Sequence, residues 1–428
     1  MSVAAGSVEA YRAECPGQNE ESSMPDHSDI STETFGMRVR RARERNGQTR
    51  AVVGGLVGRS SEWVKAIENG RLKVPRLPLL LRLADVLGVN DLADLTGDDR
   101  VTTATHAKTA HEALPAVRAA LATYQLSGHD DAPESADELA RRVSHAWHLW
   151  HAPGAHRTRV AVVLPDLLAD AQHSARALDG TERRRALISL SETYHLAQLF
   201  LSFQPAPELV MLTGDRSMAA AQDADSPRAM AAAAWYMNHV FRDAGERHEA
   251  RVDLAMKAAD LLRPESSPDD LARWGMLHLA AALSYAKVGR RGDAERFWDR
   301  AEEAARRLGP NYAHPYLIFG QDMVDAYAIT MQSDLVRPGG AVEAANAIEV
   351  DGMPSATRVS FHQIESARAY ALQGETVAVV HLLKRAFETS PETIKYNLFA
   401  LATLREIPDR GIVRDDVRYL RSKLGVPA

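Results

Sequence analysis

The side chains with the clearest chemistry lie in one short run, GRSSEWVKAIENG, at positions 58–70. Lys65 can donate to guanine, Glu62 can accept from the amino group of cytosine, and Ser61 can serve a base edge or the backbone. All three fall in the first turns of one short helix, the part that reaches base edges when a helix enters a major groove. Ser60 stands where a helix cap is needed, beside backbone N–H groups that favour phosphate. Arg59, Arg71 and Lys73 flank the run as phosphate clamps, fixing register without reading sequence. Trp63 can offer its indole N–H to a phosphate, or fill the gap beside the preceding helix equally well. Glu68 would be repelled by DNA and is expected to pair with an arginine of the first helix.

The elements that position these residues follow from capping and periodicity. Thr34 can cap FGMRVRRARERNG, with Phe35, Val39 and Ala42 on one face and arginines on the other. Thr49 can cap RAVVGGLVG, a small-residue helix that a neighbour can approach closely, and Ser60 can cap SEWVKAIENG. Pro78 starts the apolar LLLRLADVLGV, and DLADLTG adds a short fifth helix. Val64, Ile67 and Leu56 are the expected core. Between Phe35 and Arg76 there are eleven Lys and Arg against three acids, a net charge of +8, whereas the whole chain carries −6. A basic module on an acidic remainder is the footprint of a nucleic-acid-binding head on a body with another task.

Taken together, QTRAVVGGLVGRSSEWVKAIENG followed by LLLRLADVLGV resembles the Xre-type, phage-repressor-like helix-turn-helix family. The resemblance covers residues 32–97 and implies a five-helix DNA-binding head whose third helix reads bases. Arg50 stands where this family often has a glutamine, so a phosphate contact is expected of it in place of a base contact.

The rest of the chain reads differently. Residues 1–31 are polar and aperiodic, a disordered tail by composition, and residues 98–135 read as a linker with one helix. From 136 to 428 nearly everything is helical. Tyr285, Gly289, Ala294, Trp298 and Ala301 are spaced by four, five, four and three residues. Phe241, Gly245, Ala250 and Leu254 repeat those offsets, as do Tyr370, Gly374, Val379, Leu383 and Ala386. A weaker copy is expected near Tyr327, its turn enlarged by SDLVRPGG. These offsets resemble the tetratricopeptide repeat, in which a large residue ends one helix, glycine turns, and a small residue lets the next helix pack. The expected fold is therefore all-α: a small five-helix head followed by a helical-hairpin solenoid.

A head of this type on such a body resembles the peptide-sensing transcription regulators of Gram-positive bacteria. That resemblance implies a homodimer on double-stranded DNA with an inverted repeat, and a body that senses a signal peptide or small molecule. Asn238, whose amide both donates and accepts, is the expected backbone clamp, with Trp235, Trp274, His278 and Tyr316 as walls. These aromatics serve equally as packing between hairpins. His145, His148 and His151 recur at steps of three, but no carboxylate lies among them and they drift around the helix, so no metal site is expected.

Composition bounds the remaining classes. A single cysteine, Cys15, excludes an internal disulfide or a cysteine-based zinc site. No apolar run approaches the length of a membrane span and no secretory signal opens the chain, so it reads as cytoplasmic. Arginine far outnumbers the eight lysines, which points to a GC-rich bacterial genome. No nucleophile–base pattern, phosphate loop or dinucleotide fingerprint occurs, and neither an enzyme nor a cofactor is expected. The alternative is an interaction scaffold in which DNA contact is secondary.

Overall fold

A computed structural model describes residues 33–426 except 76, 90, 98–108, 125–131, 245–246, 349–351 and 409; the tail at 1–31 and much of the linker lie outside the described residues. Among the described residues there are 21 helices and no strand.

Five helices build the head: α1 (Phe35–Arg45), α2 (Arg50–Leu56), α3 (Ser61–Glu68), α4 (Leu77–Val86) and α5 (Ala93–Thr96). The first three begin as capping chemistry requires. The hydroxyls of Thr34, Thr49 and Ser60 accept from the backbone N–H three residues on, at 3.4, 3.2 and 3.0 Å. Val39, Val53, Val57, Val64, Ile67, Leu80, Leu83 and Leu87 meet in one core. Leu56 is not part of it. At 57% exposure it points to solvent, because Val53 and Val57, four apart, already occupy the inward stripe of α2.

The body opens with α6 (Leu114–Ala122), the helix expected in the linker. Its Leu114, Val117 and Leu121 are buried in the body's own core, so it belongs to the body. Six helical hairpins follow: α7 (Ala136–His151) with α8 (His156–Ala177), α9 (Gly180–Leu201) with α10 (Pro207–Asp223), and α11 (Pro227–Ala244) with α12 (His248–Asp260). Then come α13 (Pro268–Lys287) with α14 (Arg291–Leu308), α15 (Gln321–Asp334) with α16 (Pro338–Ala347), and α17 (Ala356–Ala371) with α18 (Thr376–Thr389). The short α19 (Pro391–Lys395), α20 (Leu398–Glu406) and α21 (Arg414–Leu424) close the chain.

The first helix of each hairpin packs on the first helix of the next, and α17 returns to touch α7. The inner row thus closes on itself. Alanine makes this close stacking possible: Ala231 to Ala234 of α11 and Ala280 to Ala282 of α13 are all buried.

The repeat pattern holds in two copies and fails in part elsewhere. Ala294 and Ala301, and likewise Val379, Leu383 and Ala386, are buried at the hairpin seams, with turns at Gly289 and Gly374. In the copy around α12, Ala250 is exposed while Val252 and Ala255 face inward, so the offsets are out of register there; Gly245 lies outside the described residues. Near Tyr327 the turn is not enlarged. Helix α15 ends at Asp334 and α16 starts at Pro338, which places Gly339 and Gly340 inside the helix.

Candidate nucleic-acid interface

The geometry of the head rests on a close crossing of α2 and α3. Gly54 of α2 faces the start of α3 so tightly that a Cβ there would stand 2.9 Å from the carbonyl oxygens of Arg59 and Ser60. Val64 and Ile67 anchor α3 in the core at 0% and 1% exposure. A buried carboxylate then ties three helices together. Glu68 accepts from Arg43 Nη2 of α1 at 3.2 Å and from Arg50 Nε of α2 at 2.7 Å. The expected pairing of Glu68 with helix 1 is thus seen, and Arg50 shares it. The Glu68 carboxylate raises the Arg43 pKa, chiefly through the hydrogen bond between them. Arg50 is therefore held by the protein on one side, though its side chain keeps 37% of its surface exposed.

With its inner face fixed, α3 presents Ser61, Glu62 and Lys65 to solvent. Lys65 Nζ lies 3.5 Å from a Glu62 carboxylate oxygen, an exposed pair that exchanges readily for other partners. Trp63 is half-buried and packs on the head core. The Arg59 guanidinium stands 6.0 Å from the Trp63 ring and donates from Nη1 to the Gly58 carbonyl at 3.0 Å. Arg71 is exposed just beyond the helix, and Lys73 pairs with Glu406 of the body.

Comparison with known families matches residues 34–96 to the helix-turn-helix domain. The head is a DNA-binding helix-turn-helix domain. The match covers the five helices and none of the body. Comparison with curated proteins finds no match for the chain.

Outside the helix-turn-helix domain, the five residues expected to line a ligand groove are engaged in packing. Trp235 is 1% exposed, edge-on to His239 at 4.7 Å. Asn238 donates from Nδ2 to the Arg251 carbonyl at 2.9 Å, across the α11–α12 hairpin. His278 lies against Trp274 at 3.8 Å between ring centres and bonds the Trp274 carbonyl through Nδ1. Tyr316 stacks on Trp147 at 5.4 Å. These are contacts between and within hairpins, as the packing alternative holds.

A separate cleft lies at the seam where α7 meets α17. It holds about 690 Å³ and is lined by His148, Met353, Val359, Gln363, Arg385 and Glu388 among others. That volume is in the range of small-molecule sites. One side is built by His151, whose Nε2 donates to the Tyr316 carbonyl at 3.1 Å, leaving Nδ1 to accept from Ser355 Oγ at 2.8 Å. Burial pushes the His151 pKa down to about 3. His145 and His148 are exposed on the same helix, and of the three histidines His148 and His151 line the cleft.

Next to the cleft the ring is pinned by Glu392 of α19. Its carboxylate sits on the N-terminus of α8, accepting from the N–H groups of Arg157 and Thr158 at 2.6 and 3.2 Å and from Thr158 Oγ1 at 2.5 Å. The Arg157 side chain turns inward to the Leu199 and Phe200 carbonyls, and burial lowers its pKa to about 10.

One constellation was missed by motif search because its members are spread over two helices. Ser217 Oγ lies 2.6 Å from His195 Nε2, and His195 Nδ1 lies 3.3 Å from Glu192. This is the order of nucleophile, base and orienting acid. Ser217 and His195 are 0% exposed and Glu192 is 5%, with Ser217 also bonded to Ser191, so the chain builds here a polar cross-link between α9 and α10.

Proposed function

We propose that the chain is a sequence-specific transcriptional regulator of the Xre type, acting as a cytoplasmic homodimer on an inverted repeat. The observation that carries this reading is the outer face of α3: Ser61, Glu62 and Lys65 stand exposed on a helix whose opposite face is locked into the domain core. Sunk into the major groove, Lys65 donates to guanine and Glu62 accepts from cytosine. Arg59 and Arg71 clamp the flanking phosphates, with Arg50 adding charge from the start of α2. One head reads only a handful of base pairs, and pairing two through the body sets half-site spacing.

The body, a tetratricopeptide-like array, is the sensor in this reading, and the seam cleft is its candidate ligand site. A small molecule or the end of a short peptide there would bridge α7 to α17 and α18, and so bear on ring closure. The cleft's polar rim and apolar Met353 and Val359 suit an amphipathic ligand.

The test is capture of fragmented genomic DNA by the purified full chain, beside Lys65→Ala and Glu62→Ala variants. Recovery of a short inverted repeat that either variant weakens or alters supports base reading by α3. Unselective recovery that is unchanged in both variants rejects it and favours the scaffold alternative.

A further inference from the structure

The body touches the helix-turn-helix domain at the place DNA would have to occupy. Gly289, in the turn between α13 and α14, has φ +75°, a conformation that favours glycine. A Cβ at this position would also stand 2.5 Å from Ser60 Cβ. The glycine thus serves two ends: it makes the turn, and it lets the turn lie directly on the cap of α3. Ser60 is 9% exposed and lies between Gly54 of its own domain and Gly289 of the body. The turn is held rigidly, since Gly289 and Arg290 donate to the Ala286 and Tyr285 carbonyls, each at 3.0 Å. A second contact pins the loop after α3, where Lys73 pairs with Glu406 at the end of α20.

We propose that this docking excludes duplex DNA, so that the body holds the reading head closed until the contact is released. The argument is one of space. A helix with its side chains is about 10–12 Å across, and the major groove is about 12 Å wide and 8.5 Å deep. A groove that admits the first turn of α3 has no room for a second segment in van der Waals contact with that helix's cap. Base reading therefore requires the α13–α14 turn to leave Ser60. The outer face of α3 stays exposed meanwhile, so the block acts at the helix's leading end and leaves Glu62 and Lys65 visible to solvent. Lys73, one of the expected phosphate clamps, is neutralised in the same arrangement. Both contacts must break together, which makes the closed state a two-point latch.

This inference rests on α3 being the DNA-reading helix, and the experiment separates the two claims. In a Cys15→Ser full chain, Ser60→Cys and Gly289→Cys are introduced together, with each single variant as control. A disulfide wants its Cβ atoms about 3.5–4.5 Å apart, a small outward shift from the built spacing. The probe is a labelled pool of random duplexes of about 30 base pairs, roughly three helical turns. Mild oxidation should cross-link the double variant, and the oxidised protein should bind the pool at least about tenfold more weakly than the reduced protein, because the competent fraction vanishes.

Absence of cross-linking overturns the docking. Equal binding in the two redox states shows a docked but unblocked head and overturns the exclusion. Absence of binding in both states, and also by a Gly289→Arg chain whose turn cannot rest on Ser60, rejects DNA reading by α3, and the exclusion falls with it. A milder variant guards against a cap-weakened fold. Glu406→Gln, which opens only the Lys73 pair, should tighten binding by about twofold to fivefold. Glu265→Gln is the control, with the same charge change at the opposite end of the α13 helix, about 30 Å away. Equal binding by these two variants overturns the latch.

Discussion

The helix-turn-helix domain and the body are both all-helical, yet they are held together by different means. The domain has one apolar core of valine and leucine and a single buried ionic knot at Glu68. On its outer face Ser61, Glu62 and Lys65 are exposed to solvent. The body is acidic overall, and its polar groups are turned inward. Asp334 bridges Lys287 and Arg368 at 2.8 and 2.7 Å, Asp269 pairs with His314 at 2.8 Å, and Glu392 pins α8. A small reading domain needs one rigid face, whereas a ring of Ala-rich hairpins needs specific cross-links to fix its register.

The largest effect should come from cutting these knots. Asp334→Ala removes the carboxylate that Lys287 and Arg368 share, leaving Arg368 its bond to Glu365 at 3.0 Å, and should destabilise the body by about 2–4 kcal/mol. Glu68→Ala should cost less, about 1–3 kcal/mol, because Arg50 keeps a route to water. Thermal unfolding followed by circular dichroism checks both. Equal losses would mean that burial of the partners does not set the cost.

Acid should separate the two regions next. Among the described residues the helix-turn-helix domain has no histidine, whereas the body buries His151, His156 and His362. Burial lowers their pKa values to about 3, 2 and 3, with Arg358 beside His151 and His362 and Arg157 beside His156 adding to the shift. An unfolded histidine takes its proton near 6.5. Below that pH the unfolded chain holds more protons than the folded one, so stability is full above about 6.5 and is lost as pH falls toward 3. Each histidine should cost roughly 1 kcal/mol per pH unit in that window. The low-lying Asp269 and Asp334 carboxylates act below the ordinary aspartate range and leave this window to the histidines. Melting curves at pH 7.5 and 5.5 should show the loss. His362→Leu should remove one histidine's share of the slope, roughly 1 kcal/mol per pH unit, because both ring nitrogens of His362 are buried without a partner. A pH-independent melting temperature would sink the account.

Smaller still is the α9–α10 cross-link. Ser217→Ala leaves His195 Nε2 without its hydroxyl partner and should cost about 1–2 kcal/mol in thermal unfolding. A neutral result would mean that the trio carries no structural weight.

What could be read in advance depended on how local the physics is. The caps at Thr34, Thr49 and Ser60 were legible because a hydroxyl reaches an N–H three residues on, a relation written entirely in sequence spacing. The hairpin turns at Gly289 and Gly374 were legible for the same reason. The seam was not. His151 and Ser355 are 204 residues apart, and Glu392 and Arg157 are 235 apart, so no periodicity connects them. The expected ligand residues take up hairpin contacts, since aromatic and amide side chains at helical spacing fit a hairpin interface as well as a cleft. Nor could spacing reveal that Gly289, recognised as a repeat turn, also faces Ser60.

The smallest effect tests the one core residue misassigned in the helix-turn-helix domain. Leu56 and Val57 are adjacent, but a step of about 100° along a helix turns one outward when its neighbour faces in. Val57 is 1% exposed and packs with Val53 four residues before it. Leu56 joins Val52, 49% exposed, on the opposite side of α2. Val57→Ala should therefore destabilise by about 1–2 kcal/mol, and Leu56→Ala, although it removes more carbon, by no more than about 0.5 kcal/mol. Side-by-side denaturant midpoints for the two variants decide it. A larger loss from Leu56→Ala would require the exposed Val52–Leu56 face to be covered in solution, which would place a contact on α2 that a single chain does not make.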